Sequence, residues 1–255
     1  MHPILIKIGS IPLYTYGLFV ALGFLTALGL AQKEARRLGE NPALMVDLGF
    51  YLLIAAIVGS RVFFLIVNPD VILDNPLAAF QIWKGGLVFY GGFIAALITA
   101  IVFVRKKKLS FMRVADIFAP GLAAGHAVGR IGCFFAGCCY GKECDLPWAV
   151  VFKDPLSLAP TGIHLHPTQL YSVAANLIVF SILWFSRKRI SIQGRLFWLY
   201  VLLYGVIRTT LEFFRGDPRG FIFGGPSVSQ VIGVALACVA AVALLLSRKQ
   251  KVKGS

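Results

Sequence analysis

Residues 46–67 read VDLGFYLLIAAIVGSRVFFLIV, and this stretch decides the fold class. Asp47 and Arg61 are its only charged residues. A helix of about 20 mostly apolar residues is long enough to cross the hydrocarbon core of a bilayer. The stretch therefore predicts a membrane-spanning helix.

The same pattern recurs along the chain. Of its 255 residues, 58% are hydrophobic and 14% are charged, whereas a soluble domain carries about 25% charged residues. We expect an all-α integral membrane protein, with residues 1–255 forming a single polytopic membrane domain. About seven transmembrane helices are predicted, at Tyr14–Gln32, Val46–Val67, Gly86–Val104, Val114–Phe135, Gln169–Ser186, Leu196–Phe214 and Ser227–Ser247.

The basic residues predict how these helices are oriented. Most of them lie after the first, third, fifth and seventh segments, at residues 33–37, 105–113, 187–195 and 248–253. Lys and Arg concentrate in the cytoplasmic loops of membrane proteins. We therefore expect the N-terminus outside and the C-terminus in the cytoplasm. The formal charge of +14 belongs to these loops and not to a continuous basic face, so no nucleic-acid partner is expected.

Two segments between the helices have predicted roles of their own. Residues 68–85 resemble an amphipathic arm that lies in the membrane interface, with Trp83 at headgroup depth. Residues 138–168 form the longest predicted outer loop and are expected to fold as a small extracytoplasmic head.

Ionisable side chains at membrane depth are costly and are therefore candidates for function. Arg208 and Glu212 share a helix face at i and i+4, either as an ion pair that fixes helix packing or as part of a site. Arg130 follows His126 by four residues, and two outward-facing arginines predict a clamp for a phospholipid phosphate. His126 is alternatively a packing residue. The candidates are Arg61, expected to extend to the interface, and Asp116, His126, Arg130, Arg208 and Glu212.

Four cysteines lie close together, at positions 133, 138, 139 and 144. Zinc sites favour paired C-x2-4-C spacing, which the adjacent cysteines Cys138 and Cys139 fit poorly. A metal site is therefore the less favoured interpretation. A disulfide from Cys144 to Cys133 or Cys139 is permitted outside the cell. The leading interpretation is that they pack as small apolar residues beside glycines. A cysteine nucleophile activated by His126 is a further alternative.

Five motifs occur in order along the chain, and together they resemble bacterial prolipoprotein diacylglyceryl transferases over almost its whole length. The second and fourth motifs are GGLVFYGG and HPTQLY. The motifs occupy Tyr14–Gly17, Gly85–Gly92, Gly129–Gly132 with a final glycine at Gly141, His166–Tyr171 and Arg208–Arg215.

The resemblance implies a reaction and a place for it. The family transfers the diacylglyceryl group of phosphatidylglycerol to the lipobox cysteine of a prolipoprotein signal peptide and releases glycerol phosphate. It implies an enzyme of the bacterial cytoplasmic (inner) membrane, with its site on the extracytoplasmic side. No cofactor and no metal are expected. The candidate catalytic residues are Arg130, Arg208, His126, Tyr90 and Glu212, and the candidate substrate-binding residues are Arg130, Tyr16, Gly129, Gly132, Gly141, His166, Gln169 and Tyr171.

The chain departs from the family pattern at four positions. Tyr90 replaces the family's catalytic histidine, Cys133 and Ala136 replace two asparagines, and Cys138 replaces a glutamate. A tyrosine with a pKa of about 10 is a poor base. We therefore hypothesise that His126 supplies the base. Alternatively, water or the leaving phosphate takes the thiol proton and Tyr90 only orients the substrate.

The altered motif keeps two other functions open. The first is a related lipid transferase with a different acceptor. The second is a non-enzymatic phospholipid transporter, for which inverted repeats with matching broken helices are the usual sign. The sequence shows no such repeats.

Overall fold

The computed structural model describes residues 2–9, 11–71, 75–81, 85–217 and 225–252. Within these ranges the chain forms seven α-helices and one short 3-10 helix, Pro76–Phe80. The α-helices are α1 (Thr15–Arg37), α2 (Pro42–Val67), α3 (Phe89–Lys106), α4 (Phe111–Ala136), α5 (Thr168–Ser186), α6 (Arg195–Glu212) and α7 (Val228–Val252).

Each of the seven predicted segments coincides with one of these helices. Five helices of the described chain, α1, α2, α3, α5 and α7, are long and apolar enough to cross a membrane. The chain is thus a helical membrane protein, as predicted. The other two, α4 and α6, carry five of the six ionisable residues that the sequence singled out, among them Arg130 and Arg208, and Arg61 lies on α2.

Two small antiparallel sheets were not predicted. Strands β1 (Ile4–Ile8) and β2 (Ile11–Tyr14) form a hairpin whose turn includes Gly9, with φ of +61°. Strands β3 (Val150–Val151) and β4 (His164–Leu165) pair within residues 138–168. Strands this short carry too few alternating residues to be recognised from the sequence. The second sheet lies beside a small core of Phe152, Ala159 and Leu165, so this segment has packing of its own.

The chain divides into two units, residues 1–31 with 115–255, and residues 32–114. The single domain over residues 1–255 stays a prediction. In the first unit, α1 and α4 meet backbone to backbone. A Cβ on Gly23 would lie 2.6 Å from the carbonyl oxygen of Gly125. Helices α6 and α7 approach in the same way, because a Cβ on Gly205 would lie 2.6 Å from the carbonyl oxygen of Gly233. Small residues permit such contacts between membrane helices.

In the second unit Arg61 is buried against backbone carbonyls. It is 7% exposed. Its guanidinium donates to the carbonyl oxygens of Ala79 at 3.1 Å, Gly85 at 2.7 Å and Gly86 at 3.1 Å. Its extension to the membrane interface stays a prediction, and in the structure three backbone carbonyls surround this side chain. Arg61 therefore fixes the chain on either side of residues 82–84. Trp83 lies outside the described residues.

Asp116 also has a structural role. Its carboxylate accepts from the backbone N–H of Gly194 at 2.6 Å and of Phe197 at 2.7 Å, at the start of α6. The first N–H groups of a helix lack partners within the helix, and negative charge there is favourable. Asp116 thus caps the helix that carries Arg208.

We expect Asp116→Asn to lower stability by about 1–2 kcal/mol, because the amide keeps one acceptor and loses the charge. For a chain of this size each kcal/mol corresponds to a fall in Tm of roughly 2–4 °C. Thermal unfolding in detergent measures this. Asp47→Asn is the matched control, since Asp47 is exposed on α2. Equal Tm values for the two variants would contradict the capping role.

Candidate functional site

A narrow cavity in the first unit brings together three of the six ionisable residues that the sequence selected, His126, Arg130 and Arg208. Helix α4 contributes His126 and Arg130, α5 contributes polar side chains from its first turns, and α6 contributes Arg208. Its lining consists of His126, Arg130, Thr168, Ser172, Asn176, Tyr204, Ile207, Arg208, Leu211 and Arg215. Three guanidinium groups around one cavity indicate a site for an anion.

Among the described residues, Arg130 is the arginine of this cavity that has no acidic partner. Its Nε donates to Nε2 of His126 at 3.1 Å. Within the described residues, no carboxylate lies within ion-pair distance of it. The terminal nitrogens of its guanidinium are therefore available for an external anion.

Arg208 and Glu212 form the ion pair that their spacing predicted. Arg208 NH1 lies 3.0 Å from Glu212 Oε2, and both side chains are largely buried. Arg208 NH2 also donates to Ser229 Oγ at 2.7 Å, and Glu212 Oε1 accepts from Ser227 Oγ at 2.9 Å. The pair joins the end of α6 to the start of α7.

Arg215 belongs to the cavity and was not among the predicted site residues. It is 8% exposed and forms a two-pronged ion pair with Asp217, at 3.0 and 3.1 Å. The sequence placed it at the end of the fifth motif, Arg208–Arg215, and assigned it no role. Helical spacing could not have placed it beside Arg208, because α6 ends at Glu212 and Arg215 forms a β-bridge with Gly141.

Gly129 and Gly132 of the GRIG motif, both candidate substrate-binding residues, lie within a helix. Helix α4 continues through both Gly129 and Gly132 to Ala136, and the chain turns at Gly137, with φ of +73°. A Cβ on Gly132 would lie 2.8 Å from the Cβ of Phe19, so this glycine allows α1 to pack on α4. A Cβ on Gly141 would lie 2.4 Å from His166, so this glycine allows a close contact with the HPTQLY segment.

Gly129 and Gly132 give a matched pair of variants. We expect Gly132→Ala to lower stability by about 1–3 kcal/mol, because the added methyl overpacks the contact with Phe19. Gly129→Ala meets open space and is expected to be neutral or stabilising by up to about 1 kcal/mol. The Tm values of both variants in detergent test this. Equal losses would show that the helix contact is not the cause.

The HPTQLY segment, His166–Tyr171, donates hydrogen bonds to the backbone of the loop that contains Cys138 and Cys139. Thr168 Oγ1 donates to the carbonyl of Cys139 at 2.7 Å, and Gln169 Nε2 donates to the carbonyl of Cys138 at 2.9 Å. The predicted substrate contacts of His166, Gln169 and Tyr171 are not tested by this arrangement. His166 Nδ1 lies 3.2 Å from Tyr171 Oη, which accepts from Trp148 Nε1 at 2.7 Å.

The two tyrosines of the predicted site lie in different units. Tyr16, on α1, interacts electrostatically with Arg130 and with Cys133, Cys138 and Cys139. Tyr90 belongs to the second unit, where it lies in the first turn of α3 and is 52% exposed.

The cysteines beside the cavity are free thiols. Hydrogen bonds with the thiols of Cys133 and Cys138 lower the pKa of Cys139, and the nearby guanidinium groups of Arg215 and Arg130 act in the same direction. The same bonds with Cys133 and Cys139 raise the pKa of Cys138. Cys139 is therefore the thiol of this pair that ionises first.

The chain is similar to known proteins over nearly its full length. A family model described as "Prolipoprotein diacylglyceryl transferase" matches residues 3–246. A "Phosphatidylglycerol--prolipoprotein diacylglyceryl transferase" of Clostridium tetani is 40% identical over 224 residues, covering 86% of this chain and 88% of the relative. A protein of the same name from Chromohalobacter salexigens is 36% identical over 257 residues, covering 99% and 94%. A "Phosphatidylglycerol--prolipoprotein diacylglyceryl transferase 2" of Clostridium perfringens is 31% identical over 255 residues, covering 100% of this chain and 97% of the relative.

Proposed function

The chain belongs to the prolipoprotein diacylglyceryl transferase family, and from that membership we propose that it transfers the diacylglyceryl group of phosphatidylglycerol to the thiol of a prolipoprotein's lipobox cysteine. The products are a thioether and glycerol phosphate. The chain is thus a transferase of lipoprotein biosynthesis. Its partners in this proposal are phosphatidylglycerol, the prolipoprotein signal peptide and the surrounding bilayer.

The unpaired charge of Arg130 carries the proposal. Arg208 has Glu212 and Arg215 has Asp217, whereas the guanidinium of Arg130 faces the same cavity with no carboxylate partner in the described part of the chain. A lipid phosphate supplies the missing anion, and the planar guanidinium matches the geometry of its oxygens.

The chemistry needs such a group at the leaving phosphate. The acceptor sulfur attacks the glyceryl carbon that bears the phosphate ester. The carbon–oxygen bond breaks, and its electron pair leaves with the phosphate. Negative charge develops on that oxygen, and donors already aimed at it lower the barrier. In this proposal Arg130 binds the phosphate, and Arg208 and Arg215 make the cavity positive.

The hydrogen bond from Arg130 changes the role that we propose for His126. The lone pair of its Nε2 already accepts from Arg130 Nε, and a proton added there would lie against a positive charge. We therefore propose that His126 positions Arg130 rather than acting as the base for the acceptor thiol.

We expect His126→Ala to lower kcat/KM for phosphatidylglycerol by roughly 10–100-fold, the loss of a hydrogen bond to a charged group. His126→Gln supplies an amide oxygen as acceptor and is expected to restore part of the activity. Transfer kinetics at several lipid concentrations measure both variants. If His126→Gln were as inactive as His126→Ala, with an altered pH profile, a base role would be favoured instead.

The topology proposal rests on the charge pattern. We propose that all seven helices span the bacterial inner membrane, with the N-terminus outside and the C-terminus in the cytoplasm. In this topology residues 68–85 form an interfacial arm. Residues 138–168 form an extracytoplasmic head, and the site opens on the outer side. Two variants test this orientation, Lys7→Cys and Lys188→Cys, each in a background without the native cysteines. A thiol reagent that cannot cross the membrane should label the cysteine at position 7 from outside and the one at position 188 only from the cytoplasmic side.

A transfer assay tests the function directly. The full-length protein, in vesicles that contain phosphatidylglycerol labelled in its acyl chains, is incubated with a lipobox peptide. We expect label on the peptide and an equal amount of released glycerol phosphate. A peptide with Ser in place of the lipobox Cys is the control and should remain unlabelled. Label on neither peptide would contradict the proposed function, and label on a different acceptor would favour the related transferase.

A further inference from the structure

Three cysteine thiols lie close together near the cavity that Arg130, Arg208 and Arg215 line. The Sγ atoms of Cys133, Cys138 and Cys139 all lie within 4.8 Å of one another. Cys133 is in the last turn of α4, and the chain then turns through Gly137 and Cys139, both with positive φ, of +73° and +60°. The left-handed backbone at Cys139 lets both members of the vicinal pair face Cys133. The objection that the sequence raised against this pair as ligands is thereby removed.

The loop that carries these thiols is held from outside. The carbonyls of Cys138 and Cys139 accept from Gln169 and Thr168, two side chains that are almost fully buried. The Cys138 thiol donates to the carbonyl of Cys133 at 3.7 Å. These hydrogen bonds preorganise the three sulfur atoms, so the cluster is part of the fold without a bound ligand.

The spacing of the sulfur atoms suits a thiophilic metal. Zinc–sulfur bonds of about 2.3 Å in a tetrahedron separate two sulfurs by about 3.8 Å. Thiolate ligands select ions such as zinc over magnesium or calcium. Among the described residues, no His, Asp, Glu or further Cys joins the cluster as a fourth ligand. Three protein ligands with one exchangeable position are the composition of catalytic zinc sites, whereas structural sites have four.

We propose that Cys133, Cys138 and Cys139 bind a zinc ion whose fourth position takes the thiol of the acceptor peptide. Zn²⁺ with three thiolates carries one net negative charge, and a fourth thiolate adds another. Arg130 lies about one helical turn before Cys133 on α4, and Arg215 pairs in a β-bridge with Gly141, so the site has cations that offset this excess. The part that concerns the acceptor rests on the proposed transferase function, and the metal site itself does not.

The step balances without a separate protein base. Coordination of the acceptor thiol releases its proton to water, because a metal-bound thiol is deprotonated. The zinc-bound sulfur then attacks the glyceryl carbon, and the carbon–oxygen bond breaks toward the phosphate at Arg130. The neutral thioether is a weak zinc ligand and leaves, and water takes the fourth position. The zinc ion keeps its charge throughout, and no oxidant or reductant is needed.

The metal site is tested on the purified full-length protein under reducing conditions. We expect about one zinc ion per chain by elemental analysis. Co²⁺ in its place should show the thiolate-to-cobalt charge-transfer band and the visible bands of tetrahedral cobalt. Cys138→Ser and Cys139→Ser should weaken zinc binding by more than the roughly 10–100-fold that loss of a ligand's hydrogen-bond partner costs. Cys144→Ser and Cys238→Ser are matched controls, because both thiols lie outside the cluster.

The open position has its own readout. Addition of the lipobox peptide to the cobalt form should intensify the charge-transfer band, and the Ser peptide should not. A protein that retains no zinc, or that retains it equally in Cys138→Ser and Cys139→Ser, overturns the site. A cobalt spectrum that ignores the peptide thiol overturns its role toward the acceptor. Label transfer in the same samples reports on the proposed function separately, since zinc binding does not require it.

Discussion

Arg130→Ala should lower diacylglyceryl transfer by roughly two to three orders of magnitude, the loss seen when one preorganised donor to a developing anion is removed. The structure gives the reason, since Arg130 is the arginine of the cavity without a carboxylate partner among the described residues. Removal of its guanidinium leaves the phosphate without its most available donor. The measurement is kcat/KM for labelled phosphatidylglycerol in vesicles of fixed composition.

Arg130→Lys separates charge from shape. The ammonium keeps the positive charge and lacks the planar fork that binds two phosphate oxygens. We expect it to recover part of the activity and to stay at least about 10-fold below the parent, since one charge-assisted hydrogen bond is worth 1.5–3 kcal/mol. Arg105→Ala, at the end of α3, is the control and should keep full activity. An Arg130→Ala protein that is folded and fully active would remove the basis of the proposed function.

Patterns within one helix could be predicted from the sequence. The apolar runs predicted all seven helices, and the i, i+4 spacing predicted that Arg208 pairs with Glu212 and that His126 lies next to Arg130. Both rest on the geometry of a single helix, which is fixed by 3.6 residues per turn. The resemblance in the five motifs added the reaction.

Contacts between distant segments could not be predicted. Asp116 accepts from backbone groups 78 and 81 positions away, and Gln169 reaches the carbonyl of Cys138 across 31 positions. The cysteine cluster depends on left-handed backbone at Gly137 and Cys139, which residue spacing alone does not indicate. For the same reason the contact of Gly132 with Phe19 of another helix could not be predicted.

Glu212→Ala should be the most destabilising single change in the site, with an expected loss of about 3–5 kcal/mol. The carboxylate side chain is 4% exposed and accepts from both Arg208 and Ser227. Its removal leaves the guanidinium of Arg208 largely buried without its counter-charge. The substitution also removes the hydrogen bond from Ser227, which joins the end of α6 to the start of α7. Thermal unfolding in detergent and resistance to proteolysis measure the loss, and Glu143→Ala is the control at an exposed carboxylate.

A double-mutant cycle distinguishes pairing from independent roles. Arg208→Ala with Glu212→Ala removes both charges, so we expect the double variant to be more stable than the sum of the single losses predicts, by about 0.5–3 kcal/mol. Losses that simply add would show that the two side chains act separately. Glu212 was also a candidate catalytic residue. If Glu212→Gln keeps the parent's Tm and still loses transfer by more than about 100-fold, the carboxylate acts in the reaction itself. If activity follows the folded fraction, Glu212 acts by holding Arg208 in the cavity, as the geometry of the pair indicates.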